Sequence, residues 1–252
     1  MAVLALIRHG QSIWTRDNRF SGWADISLSP QGHEEAHRAG RALAASNITF
    51  DLCQTSMLSR ATETLKLIKA EMQTPDLNTE TSWLLNERHY GSLQGQSRRD
   101  VYLRHGNKQV TAWRRDYRAR PPLQEVDDLN HPSLDPKYQH VNRTELPSGE
   151  SLEDAAIRAL RWWNKSIAPP LRLNQNILIV AHTASLRGIV RTLEQLNDTQ
   201  TANFRIATCA PVVYEIEQDL SIAKKYELSV GGQGWLRRLG IKLKPTKLIP
   251  WI

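Results

Sequence analysis

The chain has 252 residues, 40% apolar and 23% charged, with a formal charge of +7. That composition suits one soluble α/β domain with a real core and excludes a disordered chain, and no apolar run approaches the roughly 20 residues that a membrane helix needs. Two cysteines, Cys53 and Cys209, exclude a disulfide framework, so a reducing cytoplasm is expected.

Residues 2–8 read as a buried first strand that ends in Arg8-His9-Gly10. Its apolar start has neither the basic leader nor the cleavage site of a signal peptide. Ser29-Pro30 opens a helix, since serine is a good N-cap and proline is tolerated at the first helical position. Ala36, Ala39, Leu43 and Ala44 give it an inward stripe to about residue 46. A short strand is expected at 50–53, a helix at 58–72 and a strand at 81–85. Helical segments follow at 98–105 and 108–117.

Residues 119–147 are rich in Pro, Asp, Asn and His. Aperiodic stretches of that length are usually lids or binding loops. Ser151, with Asp154 three residues on, caps a helix that runs through Trp162 and Trp163 to about 167. An apolar strand at 176–181 ends in His182, and a helix resumes at 185–196. Strands close the domain at 212–217 and 223–228. Alternating strands and helices predict an α/β fold with three layers, α/β/α, around a mostly parallel sheet. Ligands in such sheets bind beyond the carboxyl ends of the strands, where His9 and His182 both stand.

The domain is expected to occupy residues 1–230, with a basic tail at 231–252. That tail holds Arg237, Arg238, Lys242, Lys244 and Lys247 and no acidic residue. The rest of the chain keeps 28 basic against 26 acidic residues. The charge excess therefore belongs to the tail, which reads as a solvated or loosely docked extension, with nucleic acid or an acidic partner as the alternative. No nucleic-acid or membrane partner is expected for the domain.

Five groups carry candidate chemistry. His9 suits attack on phosphorus, because neutral imidazole is a good nucleophile near its usual pKa of about 6.5. Arg8 supplies a planar fork for phosphate oxygens, and Gly10 would let the backbone approach an anion. His182 precedes a helix N-terminus, a natural anion site. Either histidine alone also reads as a satisfied core residue. Arg60 sits where a strand passes into a helix, and a surface arginine is its plainer reading. In Leu85-Asn86-Glu87-Arg88-His89-Tyr90-Gly91, Glu87 could act as general acid–base. The same turn also reads as a polar loop with a local ion pair. Trp113-Arg114-Arg115 is either a clamp for a substrate acid or a solvated charge run.

Taken together, Leu6-Ile7-Arg8-His9-Gly10, Asn18-Arg19-Phe20-Ser21-Gly22-Trp23, residues 84–95 and Trp113-Arg114-Arg115 resemble the 2,3-bisphosphoglycerate-dependent phosphoglycerate mutases of the histidine phosphatase superfamily. The resemblance covers roughly residues 2–230 in the same order. It implies the phosphoglycerate mutase-like fold, His9 as phosphorylated nucleophile, and Arg8, Arg60 and His182 around the phosphoryl group. It further implies Glu87 as proton donor and acceptor, Arg19, Ser21 and Gly22 on the substrate path, and Tyr90, Arg98, Arg114 and Arg115 on the carboxylate and second phosphate. The implied reaction is the interconversion of 3-phosphoglycerate and 2-phosphoglycerate, primed by 2,3-bisphosphoglycerate and without a metal. The long loop and the tail would exclude water, and a homo-oligomer, dimer or tetramer, is expected by analogy.

The chain departs from that family at Thr15 (usually asparagine), Arg98 (usually lysine) and Thr183-Ala184 (usually glycine–asparagine). All these positions touch the phosphoryl pocket or the substrate clamp, while the nucleophile, the acid and the other arginines are kept. The expectation is an active enzyme with weaker priming or a shifted substrate. A metal-independent phosphatase or mutase for a related phosphoester, and a non-catalytic homologue, are the alternatives.

Overall fold

A computed structural model describes residues 1–231. The tail at 232–252 lies outside the described residues. In chain order the elements are β1 (Ala2–Arg8), α1 (Ile13–Arg16), α2 (Pro30–Ala44), β2 (Leu52–Thr55), α3 (Ser59–Glu71), β3 (Thr79–Thr81) and α4 (Arg98–Arg115). There follow α5 (Leu152–Trp162), α6 (Ala168–Arg172), β4 (Ile177–Ala181), α7 (Thr183–Glu194), α8 (Asp198–Asn203), β5 (Val212–Ile216) and β6 (Ile222–Glu227).

The strands form one sheet in the order β3-β2-β4-β1-β5-β6. Pairs β3/β2, β2/β4 and β4/β1 are parallel, and β5 runs antiparallel to both β1 and β6. The three-layer, mostly parallel fold expected from the sequence is the one observed. Alternation along the strands assigns side chains to the two faces. Leu4, Leu6, Ile177, Ile179, Val212 and Tyr214 join a core with Trp162, Leu186 and Ile189 from α5 and α7. Ala5, Ile7, Leu178, Val180 and Val213 join another with Ala36, Ala39, Leu65 and Ile68 from α2 and α3.

The register of β1 against β4 pairs Leu4 with Ile177 and Arg8 with Ala181. It is pinned at its start by Asn176. That side chain accepts from the Val3 N–H (2.7 Å) and donates to the Thr49 carbonyl (2.8 Å). Its backbone N–H donates to Asp51 (2.7 Å).

Several boundaries differ from the sequence expectations. β2 starts two residues later than 50. The expected strand at 81–85 is only Thr79–Thr81, followed by a 3-10 turn, Trp83–Leu85. Ser82 caps that turn by accepting from Leu84 N–H, and an apolar triplet is equally buried in a turn or a strand. The segments at 98–105 and 108–117 are one element broken at Gly106, whose φ of 75° is non-helical. Ser151 and Asp154 form the expected capping box. The helix they open passes through a π-turn, Trp163–Ile167, into α6. The three shortest helices, α1, α6 and α8, span too few turns to show periodicity.

Candidate active site

Parallel pairing of Arg8 with Ala181 places the next residue of each strand side by side. His9 N–H donates to the Ala181 carbonyl (3.0 Å), and the His9 and His182 rings stand 4.8 Å apart, centroid to centroid. Both are buried. Nδ1 of His9 lies 2.7 Å from the Gly10 carbonyl. A carbonyl only accepts, so Nδ1 carries the proton and Nε2 keeps its lone pair. Burial, then Arg60 and Arg8, hold His9 well below the ordinary histidine value, so the ring is neutral at pH 7. His182 is lowered by burial and then by Arg60. Its Nε2 is 2.7 Å from Ser56 Oγ, and its buried Nδ1 has no partner among the described residues.

Gly10 has a different job from the one expected. A Cβ there would overlap the Gly32 backbone, and one at Gly32 would overlap Gln11. The glycine therefore lets the loop after β1 press against the start of α2, and its N–H is taken by Thr64 Oγ1 (3.1 Å).

Arg60 is almost wholly buried, which lowers its pKa to about 10 and leaves it a cation at pH 7. It donates to the carbonyls of Ala24 (2.9 Å) and Gly22 (2.7 Å). Gly22 has φ +55°, and a Cβ there would strike the Gln94 side chain, so glycine is required. Arg60 thus braces the 22–24 turn on the cavity wall that His9 shares.

Glu87 follows the Trp83–Leu85 turn. Its Oε1 accepts from the N–H groups of Arg88 (2.8 Å) and Ala184 (3.1 Å). Oε2 has no hydrogen bond among the described residues. Arg158 holds the segment from behind. Its guanidinium donates to the carbonyls of Trp83, Leu84, Asn86 and Glu87 and is paired with buried Glu150 at 2.8 and 2.9 Å. Glu150 in turn accepts from the His89 N–H.

These groups open on one cavity of about 630 Å³. His9, Arg8, Thr15, Ser21, Gly22, Arg60, Glu87, Tyr90, Arg98, Arg114, Arg115, Thr183 and Ala184 line it, so the structure gathers nearly every residue singled out from sequence. Two do not reach the wall. His182 is fully buried behind it. Arg19 is exposed, because its guanidinium is drawn to the Gly95 carbonyl (2.8 Å).

The loop at 119–147 also departs from expectation, since none of its residues lines the cavity. It forms three 3-10 turns. Tyr138 buries its ring against Trp23 and accepts from Asn86 Nδ2 (2.9 Å), so the loop backs the Glu87 segment. Sequence reasoning left Arg88, Arg187, Asn203 and Arg205 unassigned, yet all four line the cavity. Arg187 lies one turn beyond Thr183-Ala184, a helical spacing that could have signalled it. Arg205 follows α8 in an aperiodic stretch that carries no signal.

Eight arginines therefore face one carboxylate, that of Glu87, across the wall. Buried Nε of Arg8, Nη1 of Arg88 and Nε of Arg98 have no partner among the described residues. An unpartnered buried donor costs about 1–3 kcal/mol. The eight guanidinium groups on the wall suit the cavity to a polyanion.

The chain matches the histidine phosphatase superfamily (branch 1) over residues 4–131 and 124–228. It belongs to that superfamily. Solved structures of similar fold include a mycobacterial glucosyl-3-phosphoglycerate phosphatase with VO3, at 20% identity and a TM-score of 0.67, covering 90% of this chain and 97% of that one. The α-ribazole phosphatase of Shigella flexneri is 24% identical, with a TM-score of 0.67 and coverage of 92% and 99%. A putative α-ribazole-5'-P phosphatase of Escherichia coli is 22% identical, with a TM-score of 0.68 and coverage of 92% and 100%. For this superfamily member, phosphoester hydrolysis or transfer is thus the reaction class in view. No described helix is long and apolar enough to cross a membrane. Among the described residues, no group of three or more His, Cys, Asp or Glu is placed to hold a metal.

Proposed function

We propose that the chain transfers phosphoryl groups through a phosphohistidine at His9, and that its substrate pair is 3-phosphoglycerate and 2-phosphoglycerate, primed by 2,3-bisphosphoglycerate. The carrying observation is the neutral Nε2 of His9 sharing one cavity with Glu87 and with Tyr90, Arg98, Arg114 and Arg115. The Nε2 lone pair attacks phosphorus. The bond to the ester oxygen breaks, and protonated Glu87 gives its proton to that oxygen. In the return step Glu87 takes the proton of the accepting hydroxyl as its oxygen attacks the phosphohistidine. Arg8 and Arg60 stabilise the loose transition state electrostatically, and His182 packs against His9 from behind the wall. Arg98, Arg114 and Arg115 hold the acid group that lets the substrate turn while bound.

A second reading, a phosphatase in which water takes the phosphoryl group, rests on two observations. The 119–147 loop stands off the cavity wall, and Ala184 has no side-chain donor where the resembled mutases have one. The proteins of similar fold described above are themselves named as phosphatases.

One assay separates them. Purified protein receives 3-phosphoglycerate with and without 2,3-bisphosphoglycerate in chelator, and 2-phosphoglycerate and free phosphate are followed. Product that depends on 2,3-bisphosphoglycerate supports the mutase, and phosphate without isomerisation supports the phosphatase. If neither appears and His9 retains no label, both readings are lost.

A further inference from the structure

We infer that Arg187, Asn203 and Arg205 form an acid-binding subsite separate from the Arg98–Arg114–Arg115 clamp, so that the preferred ligand is a phosphomonoester carrying a further acidic group that this wall reads. The inference rests on the phosphoryl-transfer reading of the same cavity, but not on which phosphoester is turned over.

Arg187 Nε donates to the Phe204 carbonyl (2.8 Å), and Arg8 Nη1 reaches the Ile206 carbonyl (3.4 Å). Those two carbonyls flank Arg205, so the chain between α8 and β5 is fastened on both sides of it. With Nε engaged, both terminal nitrogens of Arg187 are left without a protein partner among the described residues. Arg187 feels Glu87, Tyr90, Arg88 and Arg8, which puts its charge within the field of the reacting groups. Arg205 makes no hydrogen bond or ion pair with any described residue and lies exposed on the cavity wall. Residues 232–252 contain no acidic side chain that could neutralise it. Asn203, beside it, adds an amide donor.

One phosphate between Arg8 and Arg60 and one acid on the clamp leave Arg88, Arg187 and Arg205 uncompensated beside a single carboxylate, and of these Arg88 is turned to the Tyr90 hydroxyl and the Arg114 carbonyl. Cations crowded in a half-enclosed cavity repel each other, and an anion spanning them relieves that repulsion. Carboxylate and phosphate satisfy the same donors, and forked guanidinium groups suit both.

The test uses ligands that cannot be turned over: methylphosphonate, 3-phosphonopropionate and propane-1,3-bisphosphonate. Their affinities are measured by calorimetry for the parent, Arg205→Ala, Arg205→Lys and Arg187→Gln. Arg205→Ala should weaken at least one of the two-headed ligands by about tenfold, and at least fivefold more than methylphosphonate, with Arg205→Lys in between. Whichever two-headed ligand suffers more names the acid. An equal change for all three ligands, or no change, overturns the subsite and leaves the clamp as the sole reader of the second acid. Arg205 is exposed, so folding is not at issue. A parent that binds the phosphonates but forms no phosphohistidine would sink the functional reading alone.

Discussion

The backbone N–H of Ala184 donates to Oε1 of Glu87 across 97 residues of chain, joining the first turn of α7 to the turn that carries the carboxylate. The contact uses main chain only, so any residue at 184 other than proline supplies it. What alanine withholds is a second donor from its side chain. Thr183→Gly combined with Ala184→Asn should therefore keep Glu87 in position and raise turnover by roughly tenfold, the scale of one charge-assisted hydrogen bond. Steady-state kcat/KM measures it, and an unchanged rate would reject the pocket argument.

Glu87→Gln keeps the hydrogen-bond acceptor toward Arg88 and Ala184 but cannot pass a proton. Turnover should fall by about 10²–10⁴, the usual worth of a positioned general acid–base. His9→Gln should abolish label transfer from a phosphoryl donor. A His9→Gln protein as active as the parent would end the phosphohistidine account.

Arg158 and Glu150 are both buried, at 5% and 6% side-chain exposure, and bonded twice. Glu150→Gln leaves that guanidinium partly uncompensated, and breaking such a pair costs about 3–5 kcal/mol. For a chain of this size that is a Tm drop on the order of 10 °C. Activity should fall as well, even in molecules that remain folded, because Arg158 holds the carbonyls of Trp83, Leu84, Asn86 and Glu87. Calorimetry together with kinetics at 20 °C separates the two effects, and a Tm within about 2 °C of the parent contradicts the pairing argument.

Burial, then His131 and Arg158, lower His89 to about 3 from an ordinary 6.5. Its Nδ1 accepts from the Gly91 N–H (3.0 Å), which an imidazolium could not do. The neutral form is favoured by the fold, so the unfolded chain gains the proton first. Stability is full above about pH 6.5 and declines as the pH falls toward 3. At pH 5 the loss from this group is about 2 kcal/mol. Denaturant midpoints at pH 7 and 5 read it, and His89→Gln should show a shallower slope.

The fold was legible because its signals are local. Unbroken apolar runs mark β1 and β4 as strands buried on both faces, and Ser29-Pro30 and Ser151 mark helix starts. The reach of individual side chains was not legible. Arg19 sits in a recognisable motif, yet the Gly95 carbonyl draws its guanidinium off the cavity, and that carbonyl is 76 residues away in sequence. Gly10 looked like an approach to an anion, but the space it saves is taken by Gly32, a contact set by how α2 packs. Arg205 reaches the cavity only because Arg187 and Arg8 hold the carbonyls around it. Each of these depends on tertiary distance, which local pattern does not encode.

The clamp made by Asn176 bears on the chemistry from the far end of the sheet. Sliding β4 by one residue would exchange the side chains of its two buried faces between the two cores, and close packing opposes it. Sliding by two keeps every face correct and every ladder bond available, yet carries one imidazole about 7 Å from the other. Hydrophobic matching is blind to that error. The amide of Asn176, holding Val3 and Thr49 at once, is the vernier that forbids it, so a residue about 20 Å from His182 along the strand sets the spacing of the two rings.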